Sequence, residues 1–457
     1  MMFNGCARSA MIPPVRRSRV VLACWLCAVA ALALAAACSL LTTPALADEW
    51  ESAPISYSQA QPDNAVSQLQ ARLEAGESQL AYESHFGYLR SFLKELGVPE
   101  SSQMLVFSKT SLQRQRISPR TPRALYFNDE AYVGFCQYGD VLEVSVADAK
   151  LGTVFYTLPQ EEVEHPIIRR QTDNCLLCHA SSQTHGVPGH VVRSVYADPA
   201  GQPILSSGTF RIDHTSPLKN RWGGWYVTGM HGEQKHLGNM VVRGRQQPEQ
   251  IDNSAGQNQT ELDERVDREN YLSPHSDIVA LMVLEHQAEA HNCLTRASFE
   301  TRIALEHEAG LNRELKMPPG HRWESTTSRI RSVGEPLVKY LLFSEEAPLT
   351  ASIRGTSEYA AEFAAIGPRD PQSRSLRDFD LQRRLFKYPC SYLIYSPSFD
   401  ALPDEVRDYV LQRMWDILQG TDSSQEFAHL TAEDRQAILE ILRATKPNLP
   451  AYWQEKP

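Results

Sequence analysis

The hydrophobic period of this chain changes from helical to strand-like and back along its length, and that pattern limits the fold more than any other feature. From Ala124 to Thr157 the runs ALYFNDEAYVGFC, VLEVSVAD and GTVFYTL are short, rich in β-branched and aromatic residues, and divided by Asn-Asp, Tyr-Gly-Asp and Ala-Lys-Leu-Gly turns. That pattern predicts a small antiparallel sheet. Farther on the spacing becomes helical. Asp277 caps a helix predicted to run to about Glu308 and to close at Gly310. Pro403-Asp404-Glu405 opens another, with Val406, Tyr409, Val410, Met414, Ile417 and Leu418 on one stripe and Gly420 at its end. Thr431 and Asp434 form a capping box for a third helix through Thr445, stopped by Pro447. Strands and helices segregated in this way predict the α+β class.

The remaining segments fit around this division. Residues 48–110 read as a helical lead-in, with helices predicted over Ala65–Leu73 and Tyr82–Leu96 and a stop at Gly97-Val98-Pro99. Residues 111–243 are the strand-rich region. Its strand pattern resumes at HVVRSVYADPAGQPILSSGTFRID, where Asp198-Pro199-Ala200-Gly201 marks a hairpin turn, and again at GGWYVTGM. Residues 244–263, GRQQPEQIDNSAGQNQTELD, are polar and aperiodic, a loop or linker. Residues 264–457 are read as a helical region packed on the strand-rich one.

Residues 1–47 are unlike the rest. Arg16, Arg17 and Arg19 precede an unbroken apolar run of 18 residues from Val20 to Ala37, and Ala45-Leu46-Ala47 supplies an A-x-A cleavage site before Asp48. That is the layout of a signal peptide. The rival reading is an uncleaved anchor, since membrane spans begin at roughly 17 residues. Lipid modification at Cys38 is a weaker reading, because Ala35 stands where a Leu-like residue is usual, and Arg16-Arg17 also invites twin-arginine export. Cleavage predicts a periplasmic chain with no membrane span. The leader holds four of the 45 basic residues and none of the acidic ones, so 41 basic face 55 acidic residues after cleavage, a net charge of −14. Such a surface argues against nucleic acid or anionic lipid as partner.

Of nine cysteines, Cys6, Cys24, Cys27 and Cys38 leave with the leader, and Cys136, Cys175, Cys178, Cys293 and Cys390 stay. Cys136 and Cys293 are read as buried small hydrophobes. Cys175-Leu176-Leu177-Cys178-His179 is different: C-x-x-C-H is the haem c attachment pattern, in which two thiols add across the haem vinyl groups and the histidine ligates iron. On these three residues the chain resembles the bacterial c-type cytochromes. The resemblance implies one covalently bound haem c, thioether bonds at Cys175 and Cys178, His179 as proximal iron ligand, and a redox role. It does not extend to the fold, because the motif lies deep in the sequence among strands. Three other readings stand beside haem. A zinc site could use Cys175, Cys178, His185 and His190, although the six residues between Cys178 and His185 fall short of a finger spacing of about 12. A thioredoxin-like dithiol lacks its βαβ context, and a plain disulfide is the simplest case.

The activity of such a haem depends on the ligand opposite the histidine. The segment RWGGWYVTGMHGEQKHLGNM, residues 221–240, offers Met230, His231, His236 and Met240 among five glycines, with Trp222, Trp225 and Tyr226 just before. Glycines admit a flat ligand and aromatic rings cover it, so this stretch is read either as a cofactor wall or as a tight hairpin with solvated histidines. His286, on the apolar stripe of the predicted long helix with Val279, Met282 and Val283, is the other sixth-ligand candidate or else a core residue; His291 and Asn292 follow it, and His214 is a third possibility. Arg193, Arg211 and Arg221 are candidate donors to haem propionates. The leading expectation is a single-haem electron carrier serving a periplasmic redox partner. The alternatives are a haem enzyme acting on a peroxide, a nitrogen oxide or an oxygen-derived small molecule, which the length of the chain favours, and a haem-based sensor or interaction protein.

Overall fold

Six strands follow one another in space in the order in which they occur in sequence. They are β1 (Met104–Val106), β2 (Arg123–Phe127), β3 (Ala131–Phe135), β4 (Val141–Asp148), β5 (Gly152–Pro159) and β6 (Arg169–Gln171), joined as an antiparallel meander in the computed structural model of the chain. The residues described are 49–244, 250–422 and 424–454. The leader reading and residues 245–249, near the start of the predicted linker, lie outside them. Neighbouring strands need only tight turns. Asn128 makes the β2–β3 turn with its side chain accepting from the Glu130 and Ala131 amides at 3.0 and 2.8 Å, and Asp148 does the same for β4–β5 with Lys150 and Leu151 at 3.0 Å each.

Register gives the sheet two unequal faces. Ala124, Tyr126, Val133, Leu142, Val144, Val146, Val154 and Leu158 are buried on one. The other carries two rows of cross-strand neighbours, Leu125-Gly134-Glu143-Thr157-Arg169 and Tyr132-Ser145-Phe155-Gln171, with several half-buried members. At one end of this mixed face sits the long helix α4, which is numbered after α1 (Ala65–Glu74), α2 (Leu89–Glu95) and the one-turn α3 (Leu176–His179) and spans Ile278–Leu315. Gln287 of α4 donates to the Tyr132 hydroxyl at 2.7 Å, and Thr295 packs where a side chain on Gly152 would stand.

Helices α5 (Glu324–Leu341), α6 (Tyr359–Ala365), α7 (Pro397–Asp400), α8 (Asp404–Leu418) and α9 (Ala432–Thr445) complete the helical part. Their apolar stripes join α4 and the sheet edge in one core that includes Met104, Phe127, Leu281, Leu337, Val410, Met414 and Leu442. The protein is α+β, and Ser52–Pro457 form a single compact unit. Among the described residues no helix is long and apolar enough to cross a membrane.

Three local expectations give way. Helix α4 passes through Gly310 and ends at Leu315. The segment Tyr82–Leu96 is helical only from Leu89, because a bridge between Glu83 and Gly87, with Gly87 at φ 57°, occupies its first half. GGWYVTGM forms isolated bridges from Trp225, Thr228 and Met230 to Val106, Asp277 and Arg354 in place of a strand. The hairpin after residue 190 is present in short form, β7 (Arg193–Val195) against β8 (Thr209–Arg211), with Gly201 donating to the Asp198 carbonyl at 2.9 Å in its turn.

Candidate functional site

The motif is placed by one helical turn that follows β6. Leu176 donates to the Asp173 carbonyl at 3.0 Å and His179 to the Cys175 carbonyl at 3.0 Å, so α3 winds through the motif itself. Positions three apart on a turn share a side, which brings Cys175 and Cys178 to the same flank. Both thiols are unpaired, Cys175 half-buried and Cys178 exposed, and Leu177 between them is 80% exposed. Burial, then the Glu143 and Asp173 carboxylates and the neighbouring thiol, push Cys175 up to about 11. It is therefore a protonated thiol near neutrality.

After His179 the chain loops through Ser181–Gly189 and returns to the histidine. The Gly189 amide donates to the His179 carbonyl at 2.8 Å, and the Gly189 carbonyl lies 3.0 Å from His179 Nδ1. A carbonyl only accepts, so Nδ1 carries the ring proton and Nε2 holds the free lone pair. Burial keeps this imidazole below the ordinary histidine range against the pull of the Gly189 bond, so it is neutral. The Phe155 ring packs on it with centroids 4.9 Å apart. On the next row of the mixed face, Arg123 pairs with Glu143 at 2.7 Å, each side chain 17% exposed. Burial opposes ionisation of Glu143, but Arg123 and hydrogen bonds from Ser111 and Gln113 outweigh it and hold the carboxyl below its usual range.

Two unpaired thiols and a neutral histidine with an available Nε2 sit on one turn, with the Phe155 ring packed on the histidine, the donor set that a covalently held haem would use. A Cys2His2 zinc site is less well served, because both histidines are engaged elsewhere. His190 places Nδ1 3.3 Å from the Thr153 hydroxyl and Nε2 3.1 Å from the Ser145 hydroxyl. His185 Nε2 lies 2.6 Å from Glu289, and these two with Cys293 have ligand atoms within 4.8 Å of one another. Arg211, 3.2 Å from the same carboxylate, already supplies the positive charge there.

The other residues singled out in the sequence divide into separate groups. Arg221 is buried and ion-paired with buried Glu285, and it also donates to the Ser216 and His214 carbonyls at 2.7 and 3.0 Å. Trp222 is fully buried against His236, and the Trp225 indole donates to the Arg193 carbonyl at 2.7 Å. His231 and His236 lie ring to ring at 4.7 Å. The Asn258 amide donates to His231 Nε2 at 3.0 Å, which leaves the proton on Nδ1, and burial pushes His236 down to about 3. Met230 is partly exposed, its backbone paired with Arg354. His286 uses both nitrogens in the core: Nδ1 lies 2.8 Å from His214 Nδ1, and Nε2 lies 2.8 Å from the Ser391 hydroxyl. Arg193 and Arg211 are cross-strand neighbours, the first bound to Thr209 and the second to Glu289. The ring packed on His179 is Phe155, and the fold sets the two rings Trp222 and His236 together with His231 as a second aromatic group.

Sequence reasoning passed over Phe155, the Arg123–Glu143 pair and the carbonyl of Gly189. The first three reach the motif only through strand register, for which a linear reading has no signal. Gly189 lies ten residues beyond His179, and only the return of the loop to the histidine brings its carbonyl into place. Comparison of the chain with protein-family models, with characterised proteins and with solved structures returned no match in any of the three.

Proposed function

We propose that this chain is an exported single-haem c-type protein that transfers electrons to or from a periplasmic redox partner. Cys175 and Cys178 hold the haem c through thioethers, and His179 Nε2 is the proximal nitrogen. The observation that carries the reading is the His179 tautomer: Nδ1–H is given to the Gly189 carbonyl, so Nε2 is the nitrogen left for iron, beside two unpaired thiols. Metal-bound histidines characteristically donate their second N–H in this way. Bound haem supplies an iron that cycles between two oxidation states. The chain's own residues orient His179, cover one side of it with Phe155, and set a compensated charge pair, Arg123–Glu143, beside it.

A second reading, a haem enzyme acting on a peroxide, a nitrogen oxide or an oxygen-derived molecule, is favoured by one observation. His286 has both ring nitrogens committed in the core, and His231 carries its proton on a buried Nδ1. Those bonds would have to break before either residue could ligate iron. His236 and Met230 remain candidates for the carrier. Optical spectroscopy of the purified ferrous protein separates the two. An iron that is low-spin and indifferent to carbon monoxide supports the carrier; a high-spin iron that binds carbon monoxide and reacts with peroxide overturns it for the enzyme.

A further inference from the structure

We propose that Asn292, more than a hundred residues from the motif, is the positioning residue for the proximal histidine and so sets the potential of the iron; this rests on the haem reading above. The chain of contacts is continuous. Asn292 is 1% exposed on α4, and its side-chain amide meets the backbone of His190 twice: the His190 N–H donates to Oδ1 at 2.8 Å, and Nδ2 donates to the His190 carbonyl at 2.8 Å. The residue joined to His190 is Gly189, whose carbonyl receives the His179 Nδ1–H.

The loop is pinned on its other side by the sheet. The Thr153 amide donates to the Pro188 carbonyl at 3.3 Å, the His190 ring reaches Thr153 and Ser145, and Tyr132 packs on it at 4.1 Å. Residues 188–190 are thus held between helix and sheet. Gly189 is required for this: a Cβ there would stand 2.3 Å from Asn292 Oδ1 and 3.0 Å from Thr184. The amide of Asn292 itself is oriented by Glu289, which accepts from Nδ2 at 3.1 Å.

A hydrogen bond to Nδ1 gives the imidazole anionic character, which strengthens its donation and favours the oxidised metal. Loss of the Asn292 bridge frees Gly189, weakens that bond and makes oxidation harder. The test is a redox titration of the full-length haem protein. Asn292→Ala is expected to raise the midpoint potential relative to wild type. Thr295→Val, one turn along the same helix, where the hydroxyl donates to the His291 carbonyl at 2.9 Å, is expected to lower the melting temperature and leave the potential in place. If Asn292→Ala does not accumulate, Asn292→Ser, which cannot bridge both backbone groups, is measured in its stead with the same expectation. A wild-type protein that carries haem and an Asn292 variant with unchanged potential overturn this assignment alone. A wild-type protein without haem overturns the function from which it starts.

Discussion

At the scale of single residues, the site is shaped by partners that neutralise one another. Glu143 satisfies Arg123 and at the same time stands close enough to Cys175 to help hold its thiol protonated. In a haem-free Cys178→Ser chain, alkylation of Cys175 should therefore titrate near pH 11, and Glu143→Gln should move that titration downward. An unchanged profile would show that burial alone sets the thiol. The same substitution strands a half-buried guanidinium and should cost about 1–3 kcal/mol in denaturant unfolding, the range for a buried polar group left without its partner. Cys175, Cys178 and His179 stood out because C-x-x-C-H is a local spacing that a linear reading detects. Arg221, Trp222 and Trp225 were read as pocket residues on composition alone, and their partners Glu285, His236 and the Arg193 carbonyl are set by tertiary packing that no local pattern encodes.

Among the elements, α4 ties the two halves of the protein together, and its start was legible. Asp277 caps it as its position foretold, accepting from Val279 at 2.7 Å with one carboxylate oxygen. The other oxygen accepts from the Thr356 and Ser357 amides and the Ser357 hydroxyl, each at 2.8 Å, and Gly355 permits that approach, since a Cβ there would lie 2.5 Å from Asp277. Asp277→Ala should thus cost more than an ordinary cap, about 3 kcal/mol or above, because buried donors are left alongside the helix end. Chemical denaturation checks this, and a loss below about 1 kcal/mol would mean that the donors find other partners. The end of α4 was not legible. Glycine within a helix costs only about 1 kcal/mol, and the last turns are held by contacts from beyond the helix: Trp323 donates to Glu308 at 2.9 Å and to Asn312 at 2.7 Å. Likewise GGWYVTGM alternates like a strand, but Trp222 at φ 65° and Gly224 at 82° break the extended backbone.

For the whole molecule, buried histidines link stability to pH. Burial pushes His214 and His236 down to about 3, and it depresses His190 and His286 as well. Each takes up a proton readily only when the chain unfolds, so below its ordinary value of 6.5 the unfolded state binds more protons than the folded one. The stabilisation is complete above that value and is lost as pH falls toward 3, by up to about 1.4 kcal/mol per pH unit for each histidine. The melting temperature should fall steadily from pH 7 to 4.5, and His236→Gln should flatten the slope; a flat wild-type profile would contradict this. Fold class, strands β2 to β5 and the helices that start after Asp277, Pro403 and Thr431 were readable from periodicity, whereas β1 lies in a segment read as helical. The packing of the helical region on the strand-rich one was expected, but the faces that meet in the shared core were not legible, because they are set by tertiary contacts. The central claim rests on covalent haem at Cys175 and Cys178, and the most direct measurement is iron and haem content of the full-length chain, expressed with a c-type haem maturation system and run under denaturing conditions. The account predicts one haem per chain that survives denaturation and disappears in Cys175→Ala/Cys178→Ala. A chain that carries zinc or no metal, or a haem that is released on denaturation, would contradict it.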